Sequence, residues 1–560
     1  MIELKIVNDL PPYADTKDIV AIDIEMFGQQ VERLHRPHGE FGCISIMFDG
    51  ENTVYQVYDP QLIPDVLEHV RPAEWVLVNA LYDFRQLRRW DRNKVLSTPH
   101  TVWDCMLVEQ NLFGGYFREF SMADMVRRYY DVILDKSTRD QFSSANHMTQ
   151  QMKQYAAEDV YWTLKIRQAQ WDLGRDMSNY RKIDMPMIWP LLDILPVKVD
   201  QDKWRTTVAD FVRIAAETEG SLGINTKSVP QVKKALLDEG FNVANTQAKT
   251  LEALAGKSKF VDTILKARKY RDVSSRWGEN WLKNAVEDDG LVYANFNITG
   301  ALTGRMSSSK PNLQQIPRKD FPVYREFFVP QYDVMLAPDV SQQEPRILGY
   351  LSKDDNLLKA LNSGESVHVY VARMIYDDPT IVKDGKDPRY AVGKAINLAI
   401  GYGLTAVGLA EQTGLSETEA QKIIDKYFHR FPGVKYYMTK YRNMAWRDGY
   451  VTTPAGRRMY VNPYDFKSEN NAINSPIQGG AADFTKLWAS RIWQKSREQA
   501  VPFSLCMLVH DELVFDVQNE YKDATIKIIG DAMSEVGEEL YPGIPFTSDM
   551  NQGNSWACHE

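Results

Sequence analysis

The chain is poor in cysteine, with four in 560 residues, and no two of them stand in the Cys-x-x-Cys spacing of structural zinc sites. So few and so widely separated cysteines also exclude a small domain held by disulfides. We interpret all four as reduced thiols of a cytosolic protein. The Cys558–His559 pair has no matching second pair and is expected to belong to a solvated tail.

Long apolar runs are lacking too. No run approaches the roughly 18 residues that cross a bilayer. The N-terminal segment Met1–Lys5 has no basic stretch followed by an apolar block, as a secretory signal would have. We therefore predict no membrane association and a cytoplasmic location.

An excess of positive charge is also absent. The 66 lysines and arginines are outnumbered by 75 acidic residues, for a net charge of −9. This excludes a protein coated with phosphate-binding charge, but not an enzyme whose basic residues line one nucleic-acid path. One stretch offers candidates for such a path: Lys266, Arg268, Lys269, Arg271 and Arg276, with Asp272 among them. A solvated helix face explains this stretch equally well, and both interpretations stay open.

The length of the chain predicts three or four compact units, at roughly 150 residues each. Up to about residue 180, short apolar strands alternate with helical stretches, which is typical of an α/β domain. The predicted strands are Ile19–Ile24, Ile44–Phe48, Val54–Val57 and Trp75–Val78. Prolines between Pro186 and Pro196 indicate a boundary, and residues 200–290 are mainly helical. Long amphipathic helices then run from Asp339 to about 445, before strands at Phe503–Val509 and Leu513–Val517.

Acidic residues stand at the ends of elements in the N-terminal domain. Asp23 and Glu25 close an apolar strand, and the alternation of side chains along a strand places both on one face. Asp83 follows the strand that ends at residue 78. Tyr155 and Asp159 are four residues apart on a predicted helix, and therefore share a face. Each piece is common by chance, whereas all of them in this order are not.

A second acidic set lies in the C-terminal half. Asp339 stands at the end of an apolar strand. Far downstream, Leu505–Phe515 is predicted to form a β-hairpin. Its turn carries His510, Asp511 and Glu512. Placing polar groups between apolar strands costs free energy, so their presence there indicates a function. A plain polar turn would explain Asp511 and Glu512, but not their combination with Asp339.

The N-terminal set resembles the proofreading exonuclease family that includes ribonuclease D-like enzymes. The C-terminal set resembles motifs A and C of the family A DNA polymerases, the bacterial polymerase I-like enzymes, and this resemblance runs from about residue 195 to the C-terminus. Further matching segments are Thr303–Ser308, Pro311–Gln314, Lys394–Gly403, Phe431–Gly433, Asn474–Gly479 and Gly553–Trp556.

This resemblance implies a fold of α/β and α+β domains, in which a ribonuclease H-like exonuclease domain precedes a right-hand polymerase. The implied domains are the exonuclease (1–185), the thumb (186–295), the first part of the palm with motif A (296–350), the fingers (351–445) and the second part of the palm with motif C (446–560). The implied activities are template-directed synthesis from dNTPs on primer-template DNA, and 3′-5′ proofreading.

The resemblance also implies two Mg²⁺ or Mn²⁺ ions in each active site, because hard divalent cations prefer oxygen ligands. The implied ligands in the exonuclease are Asp23, Glu25, Asp83 and Asp159. Tyr155 would orient the attacking water. The implied ligands in the polymerase are Asp339, Asp511 and the backbone carbonyl of Val340. Glu512 would be a supporting carboxylate.

Nucleotide binding is implied around a helix that begins at Asp387–Pro388. The implied nucleotide contacts are Gln343, Glu344, His368, Arg389, Lys394, Leu398 and Tyr402. The positive end of the helix and Lys394 would meet the triphosphate, and the bulk of Glu344 would exclude a ribose 2′ hydroxyl. An ordinary helix-surface histidine remains an alternative for His368. The implied contacts to DNA near the new base pair are Arg305, Asn474, Gln478 and His510.

The sequence departs from the family pattern at several positions of the pocket. Commoner family residues are replaced by Val340, Gln343, Tyr390, Leu398 and Asn470. Tyr390 takes the place of an arginine, while Arg389 stands one residue early, which is a rotation of about 100° on a helix. Leu398 replaces a phenylalanine or tyrosine, and we predict strong discrimination against dideoxynucleotides from it.

The leading interpretation is a replicative or gap-filling DNA polymerase that acts as a monomer. We expect a bacteriophage origin and the host cytoplasm as its location, since the chain is short and shows no 5′ nuclease domain ahead of the exonuclease. The alternatives are an exonuclease with an inactive polymerase domain, a DNA-binding scaffold and a single-subunit RNA polymerase. The presence of Asp339, Lys394 and Asp511 disfavours the first. The order of eight metal-type residues along the chain disfavours the second, and Glu344 with the exonuclease set disfavours the third. Whether the altered pocket serves a non-standard base stays open.

Overall fold

A computed structural model describes residues 3–28, 39–98, 100–135, 137–399, 403–462 and 466–558, apart from the side chains of 398 and 466–469. Its described residues divide into two compact units. The first unit is formed from residues 1–195, 294–314 and 336–552, and the second from residues 196–293, 315–335 and 553–560.

The strands are short outside the N-terminal sheet. They are β1 (Lys5–Val7), β2 (Ile19–Phe27), β3 (Glu40–Phe48), β4 (Thr53–Val57), β5 (Glu74–Leu77), β6 (Val102–Asp104), β7 (Val197–Val199), β8 (Leu291–Val292), β9 (Asn295–Asn297), β10 (Ser307–Ser309), β11 (Phe328–Val329), β12 (Val334–Val340), β13 (Tyr450–Thr452), β14 (Arg458–Tyr460), β15 (Leu505–Val509), β16 (Glu512–Val517) and β17 (Ser548–Gly553).

The α-helices make up most of the rest. They are α1 (Ile63–Val70), α2 (Ala80–Leu87), α3 (Cys105–Phe113), α4 (Met122–Tyr130), α5 (Ser137–Gln141), α6 (Gln150–Asp172), α7 (Ile188–Leu192), α8 (Gln201–Gly220), α9 (Val229–Asp238), α10 (Ala248–Glu252), α11 (Lys259–Arg276), α12 (Glu279–Ala285), α13 (Gln343–Ser352), α14 (Asp355–Asn362), α15 (Val367–Tyr376), α16 (Pro388–Ala399), α17 (Ala406–Thr413), α18 (Glu417–Arg430), α19 (Pro432–Asp448), α20 (Phe466–Glu498) and α21 (Lys522–Leu540).

The N-terminal part of the first unit is a six-stranded mixed sheet in the order β1-β4-β3-β2-β5-β6. β3 is antiparallel to β2 and β4, whereas β2, β5 and β6 run parallel. The four strands predicted from the sequence in this region are confirmed. The long helix α6 packs against β2, and this contact brings its residues to the end of the central strand.

The C-terminal part of the first unit is built on a four-stranded sheet in the order β15-β16-β12-β17. β15 and β16 are buried along their whole length, in agreement with their continuous apolar runs. They form the predicted antiparallel hairpin. One detail of the prediction is wrong: Glu512 is the first residue of β16, so the turn is left to His510, with φ at 60°, and Asp511.

The second unit combines a small antiparallel sheet, in the order β11-β7-β8, with helices α8 to α12. Its basic stretch lies on α11. There, Arg268 donates hydrogen bonds to the carbonyls of Thr226 and Thr246, and Lys269 pairs with Asp320 at 2.7 Å. Arg271 also pairs with Glu219 at 3.4 Å, so three of the five basic side chains are held by neighbours within the same unit.

Nothing among the helices of the described ranges has both the length and the apolar character that crossing a membrane requires.

Candidate functional site

Three of the predicted acidic residues form one cluster. Asp23 and Glu25 project from the same face of β2, and Asp159 comes from α6, which packs across that strand. One carboxylate oxygen of each lies within 4.8 Å of the others. The strand register with β3 shifts directly after Glu25, and such a bulge re-aims the neighbouring side chains.

Asp83 joins this cluster from the first turn of α2, since it lines the same cavity of about 990 Å³. The helix start is fixed by the buried Asp104, whose carboxylate accepts the backbone N–H of Asn79 at 3.1 Å and of Ala80 at 2.9 Å. Asn79 itself has a left-handed backbone, with φ at 66°. The structure therefore brings all four predicted exonuclease carboxylates to one cavity.

Asp83 is buried and the other three carboxyl groups are half-buried, and this burial raises the pKa values of all four. The pKa of Asp23 is raised to about 6, with the Arg139 guanidinium opposing the effect of burial. The pKa values of Glu25, Asp83 and Asp159 are raised well above their ordinary values, first by burial and then by the charge of Asp23. Like charges in a low-dielectric site cannot all ionise without a counterion.

The donor set fits divalent cations. Within the described part of the chain, the buried Oδ2 atom of Asp23 has no hydrogen-bond partner. Closely spaced carboxylate oxygens, one of them unsatisfied, are the ligands that Mg²⁺ and Mn²⁺ prefer.

Tyr155 is held beside the cluster. Its ring packs against Phe27, Phe142 and Met152, and its hydroxyl is hydrogen-bonded to Asp159. Burial, and then the charge of Asp159, raises the pKa of Tyr155, so the phenol keeps its proton and can donate it in a hydrogen bond.

Sequence reasoning missed two residues of this site. Arg139, on the short helix α5, lines the cavity and is the positive charge that lowers the pKa values of Asp23, Glu25 and Asp159. Asp104 caps α3 while it also holds the start of α2. An aspartate at a strand end followed by an apolar helix signals a cap, but nothing in the sequence around Arg139 distinguishes it from other surface arginines.

The second acidic set lies in the C-terminal sheet. Asp339 is the penultimate residue of β12, and Asp511 directly precedes β16, the neighbouring strand. Asp339 and Asp511 are half-buried, whereas Val340 and Glu512 are each only 2% exposed. One of two hydrogen-bonded strands thus carries Asp339, and Asp511 directly precedes the other; the distance between the two carboxylates stays a prediction.

Two further predicted residues, Gln343 and Glu344, begin α13, the helix that follows β12, and their side chains have different surroundings. Glu344 is paired with Arg305 at 2.5 Å, and both side chains are about one-third exposed. Gln343 is only 4% exposed, and its amide donates to the carbonyl of Ala481 and the hydroxyl of Thr485, both at 3.3 Å. The nucleotide contact expected of Gln343 is therefore unsupported by its position, because α20 holds its amide.

His368 on α15 and Lys394 on α16 lie on packed helices. The side-chain amide of Asn397 lies 3.2 Å from Nδ1 of His368, and Lys394 is exposed. Burial, with Lys394 and Lys383 nearby, lowers the pKa of His368 to about 4, so the imidazole is neutral at pH 7. An Nδ1 that accepts from Asn397 leaves the proton on Nε2, which can donate to a ligand.

The predicted shift of register on α16 is present in the structure. Tyr390 is buried in an apolar cluster with Val369, Ala372 and Ile381. Arg389 forms ion pairs with Asp387 at 2.7 Å and Asp378 at 2.5 Å. The guanidinium is thus held by carboxylates at the start of the helix. Tyr402 and the side chain of Leu398 lie outside the described residues.

Asn474 and Gln478 are half-buried, one turn apart on α20. Among the described residues, the buried Oδ1 of Asn474 has no hydrogen-bond partner, which suits a group that awaits a ligand. His510 is exposed at the hairpin turn.

Arg305 follows Gly304, whose φ of 80° and close approach to Arg457 leave no room for a side chain. The side chain of Asn470 packs closely against Gly403.

The fold and the two acidic sets define the class: a multidomain protein with a nuclease-type carboxylate centre ahead of a polymerase-type palm sheet. Residues 200–558 match the model of DNA polymerase family A, and residues 17–173 match the 3′-5′ exonuclease model. The chain belongs to DNA polymerase family A.

Similar proteins agree with this membership. DNA polymerase I of Bacillus subtilis is 34% identical over 408 residues, which cover 68% of this chain and 46% of that protein. DNA polymerase I of Caldicellulosiruptor bescii is 33% identical over 324 residues, which cover 56% of this chain and 37% of that protein. The chain thus spans less than half the length of these two relatives.

A solved structure with the same fold is the POL domain of Pol1 from M. smegmatis, in complex with a DNA primer-template and a dNTP. It has a TM-score of 0.81 and 25% sequence identity, and the match covers 97% of this chain and 96% of that one.

Proposed function

We propose that the chain is a DNA-directed DNA polymerase with 3′-5′ exonuclease activity, which extends a primer from dNTPs and removes misincorporated ends. The observation that carries the proposal is the carboxylate cluster in the part that matches the exonuclease model. Asp23, Glu25 and Asp159 form a half-buried cluster there. In the part that matches the polymerase model, Asp339 lies on β12 and Asp511 lies directly before the neighbouring strand β16.

In the exonuclease centre, Asp23, Glu25, Asp83 and Asp159 would hold two divalent cations. Bound there, such ions supply positive charge to the scissile phosphate and acidify the attacking water. Tyr155 keeps its proton and orients that water, while its ring is fixed by Phe27 and Phe142. Hydrolysis then releases the terminal nucleotide.

In the polymerase centre, Asp339, Asp511 and the carbonyl of Val340 would hold two further Mg²⁺ or Mn²⁺ ions, with Glu512 supporting them. Lys394 binds the triphosphate as a point charge, and the neutral His368 donates a hydrogen bond to it. Glu344 limits the space at the sugar. Arg305, Asn474, Gln478 and His510 face the minor groove and the primer end.

Primer-template DNA and a dNTP are bound by the M. smegmatis relative, and we propose the same ligands for this chain, acting as a monomer. The carboxylate chemistry supports two ions in each centre, with Mg²⁺ or Mn²⁺ as their identity. A bacteriophage origin and a cytoplasmic location stay predictions from the sequence.

Two substitutions test the proposal. Asp511→Ala should abolish primer extension and spare 3′ digestion, and Asp23→Ala should do the reverse; a 5′-labelled primer-template assayed with and without dNTPs measures both. Loss of both activities in either variant would show that the two centres are wrongly separated. A purified wild-type chain that neither extends nor digests the primer in Mg²⁺ would overturn the proposal as a whole.

A further inference from the structure

A guanidinium faces the carboxylate cluster of the exonuclease centre. Arg139, on α5, lines the same cavity of about 990 Å³ as Asp23, Glu25 and Asp159. Its charge opposes the rise in pKa that burial causes in all three carboxyl groups. Because Coulomb attraction weakens with distance, a charge that acts on residues of both β2 and α6 lies near the cluster as a whole.

The short helix α5 is anchored on both sides of Arg139. The preceding residue, Thr138, is buried, and its hydroxyl accepts a hydrogen bond from the amide of Gln151 on α6 at 2.9 Å. On the other side, the carbonyl of the buried Phe142 accepts the N–H of Gly28, directly after β2, at 3.1 Å. The backbone around Arg139 is thus held against the two elements that supply the three carboxylates.

The side chain of Arg139 is exposed, and within the described part of the chain it forms neither an ion pair nor a side-chain hydrogen bond. In the same domain, Arg128 and Arg167 instead pair directly with Glu109 and Glu74. Arg139 therefore stands close enough to the cluster to act on it through space, while its N–H donors stay available to an acceptor that enters the cavity.

The charge of the metal-loaded centre favours an anion beside Arg139. Two divalent cations would balance the charge of the four exonuclease carboxylates once all of them are ionised. The guanidinium then remains as a positive charge in the cavity without a carboxylate of its own. A phosphodiester supplies one negative charge and two non-bridging oxygens, and the planar fork of arginine fits such a pair of oxygens.

We propose that Arg139 is a catalytic residue of the exonuclease centre, which binds the non-bridging oxygens of the scissile phosphodiester. Water adds its oxygen to phosphorus and gives one proton to the leaving 3′ oxygen, so that the terminal nucleotide departs as a 5′-monophosphate. The guanidinium stabilises the negative charge on the non-bridging oxygens in the transition state of this step. The proposal rests on the exonuclease function proposed above and adds to it a ligand for the reacting phosphate.

Digestion kinetics test this role first. With a 5′-labelled single-stranded oligonucleotide and saturating Mn²⁺, Arg139→Gln should lower kcat about 100-fold, the usual effect of removing one donor to a reacting oxyanion. Arg139→Lys keeps the charge but not the fork, and its kcat should fall between those of Arg139→Gln and wild type. Arg127→Gln is the matched control, because Arg127 is exposed on a helix of the same domain and does not line the cavity. It should digest DNA at the wild-type rate.

Binding of a labelled tetranucleotide in Ca²⁺, measured by fluorescence anisotropy, tests the contact itself. Without a template strand, the polymerase centre has no primer-template to bind. Arg139→Gln should bind the tetranucleotide about tenfold more weakly than wild type does. When the last linkage is a neutral methylphosphonate, both proteins should bind within about twofold of each other, because the charged partner of Arg139 is gone. Extension of a matched primer should stay unchanged in all three variants, which shows that each chain is folded.

Two results would overturn the proposal. One is a kcat of Arg139→Gln equal to that of Arg127→Gln at saturating Mn²⁺, since Arg139 would then act only through the metal ligands. The other is an equal loss of affinity for the charged and the neutral tetranucleotide. If the wild-type chain digests no DNA, the exonuclease assignment fails separately. The binding comparison then still decides: equal affinities of wild type and Arg139→Gln for the charged tetranucleotide reject the role of Arg139.

Discussion

At the scale of single residues, Glu344 shows how a pocket is kept in shape. Its carboxylate is held by Arg305 at 2.5 Å, so the side chain is fixed in one place. A bulky group excludes a sugar hydroxyl only when it cannot swing away. In the role proposed for Glu344, the ion pair would support sugar selection by restricting the rotamer of the side chain.

Substituting Glu344 should loosen sugar selection. We expect Glu344→Ala to increase ribonucleotide insertion by about 10- to 100-fold, since removal of the bulk admits the 2′ hydroxyl. The fraction of primer-extension product that alkali cleaves measures this ribonucleotide insertion. Glu344→Gln keeps the bulk and should stay within a few-fold of wild type, and Glu365→Ala, which breaks the pair with Arg373 elsewhere, serves as control. Insertion as frequent in the glutamine variant as in the alanine variant would assign the effect to charge.

From the raised pKa values of the exonuclease carboxylates we expect the stabilisation by metal ions to depend on pH. Unfolded aspartate titrates near 4, whereas burial raises the pKa of Asp23 to about 6 and also raises that of Asp159 well above its ordinary value. The folded metal-free chain binds more protons than the unfolded chain across this range, so its stability falls as pH rises from about 4 through 6 and above. Cations replace those protons and relieve the repulsion.

We therefore expect Mn²⁺ to raise the Tm more at pH 8 than at pH 5.5. Differential scanning calorimetry with and without EDTA measures the two increments. Asp23→Asn should reduce the increment at pH 8, while ions at the polymerase centre still contribute. An increment that is independent of pH would contradict the raised pKa values.

At the scale of elements, the contact between α15 and α16 sets the distance between His368 and Lys394. Gly393 makes it possible, because a Cβ atom there would lie 2.7 Å from both the carbonyl oxygen of His368 and the Cβ of Ala372. Both neighbours are helix backbone or rigid side chain, so the helices themselves would have to separate.

Gly393→Ala should therefore weaken nucleotide binding. We expect the KM for dNTP to rise about tenfold in steady-state primer extension, with exonuclease activity unchanged. Gly530→Ala is the matched control, since it is also helical and has open space around it; it should be neutral or slightly stabilising. A KM unaffected by Gly393→Ala would show that the spacing of these helices does not limit the triphosphate site.

Sequence patterns predicted the elements where periodicity is strong and failed where tertiary context decides. The strands that carry Asp23 and flank Asp511 are apolar runs, and they are present as expected. β7 and β11 were not predicted, because they have three and two residues and come from distant segments. The same limit explains Arg139, whose neighbours are known only once the chain has folded.

At the scale of the whole chain, a buried ionic network within the first unit ties the exonuclease part to the part that matches the polymerase model. Asp184 pairs with Arg457 and Lys486, each at 2.7 Å, and Arg457 pairs with Asp483 at 2.7 Å. All four side chains are at most 2% exposed. Asn111, on α3 of the exonuclease part, donates to Asp184 at 3.1 Å.

Removing one charge from this network should be costly. Burial by itself would raise the pKa of Asp184, but Arg457 and Lys486 lower it below its ordinary value, so the group stays ionised. We expect Asp184→Asn to lower the free energy of unfolding by about 3–5 kcal/mol at pH 7, because it leaves a buried positive charge without a compensating carboxylate.

Urea unfolding measures this loss, and Asp531→Asn, which breaks an exposed pair with Lys527 on α21, should change stability little. Since the folded pKa of Asp184 is depressed, its contribution is present above pH 4 and is lost as pH falls further. The difference between wild type and Asp184→Asn should shrink in that acid range. A difference as small as that of Asp531→Asn would mean that the network is not essential.

The location of Asp184 also determines where the chain can be cut. The two family matches leave residues 174–199 unassigned between them, which invites a shortened polymerase that starts at residue 200. Such a fragment would lack the carboxylate that neutralises Arg457 and Lys486, and would fold with an uncompensated cation in its interior. A shortened version that begins at residue 174, directly after the exonuclease match, retains Asp184, and is the one to choose for producing the polymerase part without its nuclease.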